Sequence, residues 1–160
     1  AKTLVQLIPP EERLLTIEDA RELVVPHRNV VHLLYSKDGQ GLARVGPRQL
    51  LESALRMRPD RILLQELRDG SAWFYLRNVN SGHPGSITTV HADSPAGALD
   101  QIALLALTSG VDLGWDKVQA YVARVVDVVV QLDRTDGARR LTEVLFRARQ
   151  FRRSGRRSTD

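Results

Sequence analysis

Short apolar runs that stop abruptly at a charged or polar tip, with a helix-length segment after most of them, leave this chain few ways to fold. The stretch RPDRILLQELRDG, residues 58–70, is the clearest case. Ile62-Leu63-Leu64 reads as a short buried strand that ends in Gln65, Glu66, Leu67 and Arg68, just before the turn Asp69-Gly70. RLLTI (13–17) ends the same way at Glu18-Asp19, and SITTVH (86–91), with three β-branched residues in its middle, ends on His91. VVHLLY (30–35) is a further strand. Residues 1–8 read as the end of a helix that Pro9-Pro10 stop. Pro47 opens a helix, PRQLLESALRM, with apolar residues at 50, 51, 54, 55 and 57. Residues 71–79 form another, Pro95 opens PAGALDQIALLAL, which Ser109-Gly110 close, and a last helix covers about 115–124. Lys37 to Gly46 and Gly82 to Gly85 are loops.

Strands alternating with helices predict an α/β layered fold with a largely parallel central sheet. The last two runs, VVDVVVQLD (125–133) and RLTEVLFRA (140–148), are joined by a turn at Thr135-Asp136-Gly137 and predict an antiparallel hairpin at an edge. Neither an internal repeat nor a low-complexity linker precedes residue 150. A length of 160 residues, 42% of them apolar, suits one domain with a real core. The absence of Cys excludes a disulfide framework and a thiolate metal site. No apolar run reaches the roughly 18 residues of a membrane span, and the first residues do not resemble a signal peptide. The net charge of +4 is unevenly placed. RARQFRRSGRRSTD (147–160) carries six Arg against one acid, Asp160. Residues 149–160 are expected to be a solvated, poorly ordered tail. Phe151 is the only aromatic there, which makes direct nucleic-acid binding a weak reading.

In open α/β sheets ligands bind beyond the C-terminal ends of the strands. Here three such ends carry polar chemistry: Glu18-Asp19, Glu66 and His91. Parallel neighbours would bring those carboxylates together, and carboxylates repel unless a cation lies between them. A hard ion such as Mg²⁺, with phosphate oxygens completing its shell, would satisfy that demand. Arg56, Arg58, Arg61 and Arg68 flank the same strand and could balance phosphate charge. Taken singly, each acidic tip also fits a solvated strand end, Asp19 fits a helix N-cap, and His91 fits a packed histidine.

Three segments together resemble the traffic ATPases of bacterial type IV secretion and conjugation systems, within the secretion ATPase superfamily that also holds the type II secretion and type IV pilus motors. RLLTIEDAREL (13–23) is similar to that family's aspartate box. ALRMRPDRILLQELRDGSAWFYLRNVNSGHPGSITTVHADS (54–94) is similar to its Walker B strand running into its histidine box, and VVDVVVQLDR (125–134) to its late strand. PHRNVVHLLYS (26–36) favours the type IV secretion branch over the pilus motors. The resemblance covers residues 1–148 and implies part of a RecA-like domain that binds ATP and Mg²⁺ between the subunits of a homo-hexameric ring.

Carried onto this sequence, the resemblance makes Glu18 the acid that orients or deprotonates the attacking water, with Asp19 in support. Glu66 becomes the Walker B acid, holding Mg²⁺ directly or through water. His83 and His91 form the histidine box, with His91 near the γ-phosphate, while Arg56 and Arg68 lie near the nucleotide or the subunit boundary. Such parts suit phosphoryl transfer, which needs an in-line water, a metal and positive charge on the equatorial oxygens. Gln65 departs from the family pattern, where a small residue usually precedes the acid; it could hydrogen-bond the water or face away.

The sequence contains no G-x-x-x-x-G-K-[ST]. That loop supplies the N–H groups and the Lys that cradle the phosphates. The chain is therefore expected to be a C-terminal piece of a larger protein, to bind ATP weakly or not at all alone, and to self-associate. Expected partners are other secretion-system ATPases and inner-membrane channel components. The expected location is cytoplasmic, peripheral to the bacterial inner membrane, where clustered Arg gains from anionic lipid. The competing readings are a non-catalytic assembly module and a pilus or type II motor. The second would be marked by a four-Cys zinc insertion in some of its members, which this chain lacks.

Overall fold

The computed structural model describes residues 2–36 and 44–147. Three strands, β1 (Leu14–Glu18), β2 (Val30–Leu34) and β3 (Arg61–Leu64), form a parallel sheet in the order β2-β1-β3. The register runs Leu14 opposite Val30 and Arg61, and Ile17 opposite Leu33 and Leu64. All three strands therefore end along one edge. β1 lies in the centre and is buried along its whole length, as a strand covered on both faces must be.

Side chains alternate across a strand, and the two faces meet different neighbours. Leu15, Ile17, Ile62 and Leu64 share one core with α2 (Pro47–Ala54), α3 (Ser71–Asn80), α4 (Pro95–Leu107) and α5 (Trp115–Val125). Leu14 and Leu63 face the other way, onto Val5 of the short helix α1 (Lys2–Val5) and Ile8. In α4, Pro95 follows the N-cap Ser94, whose hydroxyl accepts the Gly97 N–H at 3.1 Å. Leu99, Ile102, Ala103 and Ala106 of this helix are buried in the core shared with α3 and α5.

The helix expected over 47–57 is α-helical only to Ala54; residues 55–57 tighten into a 3₁₀ turn and Arg58 turns left-handed, with φ of 50°. Pro59 explains the stop, because a residue before proline avoids the α region. The run 86–91, expected as a full strand, makes a single parallel bridge, Leu63 to Ile87, beside β3. The bonding slips there: the Leu64 N–H donates to Ile87, but the next bond to this run, to the Thr89 carbonyl at 2.9 Å, comes from Leu67, where a regular parallel ladder would use Glu66. The Thr89 hydroxyl donates to the Gln65 carbonyl at 2.7 Å.

The closing hairpin is present, as β4 (Val128–Thr135) and β5 (Ala138–Phe146). Its two-residue turn, Asp136-Gly137, has φ of 52° and 78°, both positive as a type I′ turn demands. The first strand starts at 128 rather than 125 because α5 carries on to Val125. Val129 and Leu145 pack on the main core, and the Gln131 amide donates to the Ala92 carbonyl at 3.2 Å. Most of the expected loop 37–46 and all of the basic tail 149–160 lie outside the described residues.

Candidate functional site

Because β1 and β3 are parallel neighbours, their tips stand side by side. The Gln65 side-chain oxygen accepts the Asp19 N–H at 2.9 Å, so the residue that departs from the family pattern ties the two tips together. Arg68 then forks between them. Its Nη1 lies 3.3 Å from Asp19 Oδ2, and its Nη2 pairs with Glu66 Oε2. His91 Nε2 lies 3.2 Å from Glu66 Oε1. The cation that two adjacent carboxylates require is, in this structure, the guanidinium of the same strand tip. That answers why the apolar run of β3 ends in both an acid and a base. The hydrogen bond that Arg68 donates to Glu66, with Asp19 nearby, raises its guanidinium above its usual value. The Tyr35 hydroxyl is also pushed up, by burial first and then by the Asp19 charge.

A cleft of about 230 Å³ opens beside the cluster, lined by Tyr35, Ser36, Pro47, Glu66, Arg68 and Ser71. A second, of about 210 Å³, shares Glu66 and Arg68 and is bounded by His91 and Gln101. The cluster ranges from enclosed to open: Asp19 and Glu66 are 15% and 14% exposed, Arg68 38% and His91 93%.

Glu18 is elsewhere in the protein interior. Side chains 16 and 18 share a face of β1, and Glu18 is fully buried. Its Oε2 accepts the N–H groups of Glu22 and Leu23, both at 2.8 Å, while Oε1 has no hydrogen-bond partner among the described residues. The last two sequence candidates lie apart from the cluster. His83 Nδ1 sits 2.8 Å from the Pro59 carbonyl, before the start of β3 and hence at the opposite edge of the sheet. Arg56 is exposed in the 3₁₀ turn that also precedes β3. The fold thus joins Asp19, Glu66, Arg68 and His91, keeps Glu18 enclosed one residue away from Asp19, and does not bring Arg56 or His83 to them.

Among the described residues no group of three or more His, Cys, Asp or Glu is arranged to hold a metal ion. The donor set fits Mg²⁺ with one carboxylate, Glu66, and most of the shell from phosphate oxygens and water, as is usual for that ion. Glu66 Oε1 is the oxygen that could turn to it, since its His91 partner is highly exposed and easily displaced.

The sequence profile of the family described as "Type II/IV secretion system protein" matches residues 1–157. The chain belongs to that family. It is 56% identical over 148 residues to the type IV secretion system protein VirB11 of Bartonella henselae, covering 91% of this chain and 42% of that protein. Protein VirB11 of Agrobacterium fabrum is 52% identical over 132 residues, covering 81% of this chain and 38% of that protein. Among solved structures, the VirB11 ATPase from the Brucella suis type IV secretion system, in complex with sulphate, superposes with a TM-score of 0.82 at 41% identity, over 91% of this chain and 44% of that one. The ATPase DotB of Legionella pneumophila, at 19% identity and a TM-score of 0.62, shares the fold. The core is therefore RecA-like, and the branch is that of the type IV secretion traffic ATPases. The chain spans about two fifths of the length of the curated relatives it matches.

Sequence reading did not assign three groups that the fold places here: Gln65 as a stitch between tips, Tyr35 as a wall of the cleft, and the pair Thr16–His32 beneath Glu18. A polar His in the middle of VVHLL was the available signal for the last.

Proposed function

We propose that this chain is the C-terminal part of a homo-hexameric ATPase that hydrolyses Mg-ATP to power type IV secretion or conjugative transfer. The observation that carries the reading is the fork of Arg68 between Asp19 and Glu66 at the C-terminal edge of a parallel sheet, where nucleotides bind in such folds. The solved VirB11 ATPase complex with sulphate supports it, since sulphate has the shape and charge of a phosphate group. In this reading Glu66 would hold Mg²⁺ directly or through water, and the ion would supply charge that offsets that of the phosphate oxygens. Arg68 releases part of its hold on the carboxylates to meet phosphate oxygens, for which its planar fork is suited. His91, exposed at the mouth, reaches the terminal phosphate. Glu18, its Oε2 fixed by two N–H groups, offers Oε1 to the water that attacks in line. Asp19 steadies Arg68. Arg56 and His83, away from the cluster, act at the subunit boundary or through the 82–85 loop.

The same reading makes the chain alone inactive, because it lacks a phosphate-cradling loop. It places the whole protein in the cytoplasm against the inner membrane, with other secretion ATPases and channel components as partners. Among the described residues no helix is long and apolar enough to cross a membrane.

Calorimetric titration with Mg-ATP tests it, on this chain and on a chain extended upstream to include a phosphate-binding loop, each alongside Glu66→Gln. Binding by the extended chain alone, weakened in Glu66→Gln, is expected. Binding by neither would favour an assembly module without catalysis.

A further inference from the structure

We infer that His32 is a positioning residue for Glu18: its imidazole controls the one carboxylate oxygen left free for the reacting water. The inference rests on reading Glu18 as the group that meets that water. The β1–β2 register sets Thr16 directly opposite His32, and Thr16 and Glu18 share one face of β1. Thr16 and Glu18 are both fully buried. Two backbone N–H groups at 2.8 Å fix Glu18 Oε2, which also fixes where Oε1 points. That second oxygen is enclosed and has no hydrogen-bond donor among the described residues. A buried acceptor left so is costly, and one found in a native fold marks a place where a partner arrives.

His32 Nδ1 lies 3.9 Å from Oε1, within ion-pair range of it. Nδ1 lies 2.8 Å from Thr16 Oγ1. A ring nitrogen donates or accepts according to its proton, and a hydroxyl does either. With a proton on Nδ1, the ring has two acceptors to choose between, Thr16 Oγ1 and Glu18 Oε1. Without one, the Thr16 hydroxyl donates to Nδ1, and Oε1 is left without a donor. The Nδ1 proton therefore decides whether Glu18 Oε1 is engaged by His32 or left without a donor. His32 is 17% exposed, enough for exchange of that proton with solvent.

The test uses ATP hydrolysis by the full-length protein that carries this chain. His32→Ala is expected to lower kcat at least about tenfold, the scale of a misplaced catalytic group, with KM for ATP changed less than about twofold. His32→Asn, whose amide occupies the position of Nδ1, is expected to recover most of the loss. In this chain, the His32 ring ¹⁵N signals are expected to shift in Glu18→Gln and to stay put in Glu66→Gln. Full kcat in His32→Ala, where Glu18→Gln is inactive, would overturn the inference while leaving the reading of Glu18 intact. So would a kcat loss that follows a fall in Tm and is not recovered by Asn. Hydrolysis that survives Glu18→Gln would overturn the reading of Glu18 and the inference with it.

Discussion

Single side chains decide the chemistry at the strand tips, and Arg68 does most of it. Both of its terminal nitrogens are used, one on each carboxylate. Arg68→Ala would leave Asp19 and Glu66 adjacent with no shared cation. A stability loss of about 1 kcal/mol is expected for so exposed a fork, shrinking in high salt, and Mg-ATP binding by the extended chain should fall with it. Arg68→Lys should not restore binding, since a compact ammonium lacks the planar two-pronged fork that spans Asp19 and Glu66 and meets phosphate. Thermal unfolding at low and high salt, with calorimetry, checks both. At the far edge of the sheet, Arg61 makes a two-pronged pair with Glu12, through Nε at 2.5 Å and Nη2 at 2.8 Å. The hydrogen bond from Arg61 holds the Glu12 carboxyl below its ordinary value of 4.5. A carboxylate depressed by folding adds stability above its unfolded value. That stability is lost as pH falls through the lower folded one. Glu12→Gln should therefore lower Tm by roughly 3 °C at pH 7, and the difference from wild type should close as pH drops below about 4.5. A pH series of melting curves reads it.

Two backbone sites matter most at the scale of whole elements. Gly70 opens α3 directly after the cluster, and an added Cβ would come 2.7 Å from Ser109 Cα and 2.8 Å from its N. Those are backbone atoms at the end of α4, which cannot step aside. Gly70→Ala should thus cost about 1–3 kcal/mol, the scale of overpacking, and alanine is also the poorer residue at this N-cap position. Urea unfolding measures it, and a neutral result would mean that α3 and α4 are free to separate. Ser94→Ala removes the N-cap of α4 and should cost about 1 kcal/mol by the same assay. Hairpin and helix starts of this kind were legible in the sequence, because Asp-Gly and Ser-Pro act through local backbone geometry. The incomplete strand at 86–91 was not. Its β-branched residues fit a strand, but the slip in its bonding to residues 64–67 exists only once β3 lies beside it.

For the molecule as a whole, function depends on what meets the open C-terminal edge of the sheet. A ligand that binds only the folded state stabilises it by about 2.7 kcal/mol at a hundred times its Kd. Mg-ATP should therefore raise the Tm of the upstream-extended chain by several degrees and leave that of the present chain unchanged. A thermal shift of equal size in both would place the phosphate site wholly within these 160 residues. The order of elements, the parallel sheet and the family were all written in local patterns: apolar runs, turn residues, and motifs whose spacing does not depend on distant contacts. Those patterns also picked out Asp19, Glu66, Arg68 and His91, because a polar residue at the end of a buried strand must leave the core there. Which of the candidates meet was a different matter. His83 and Arg56 lie close to the cluster in sequence yet stand at the other edge of the sheet. Gln65 bonds across 46 positions, and His32 meets Thr16 and Glu18 only through the register of β1 on β2. Such contacts follow from pairing register and side-chain burial, and these are set by the packing of the whole core rather than by any stretch of neighbouring residues.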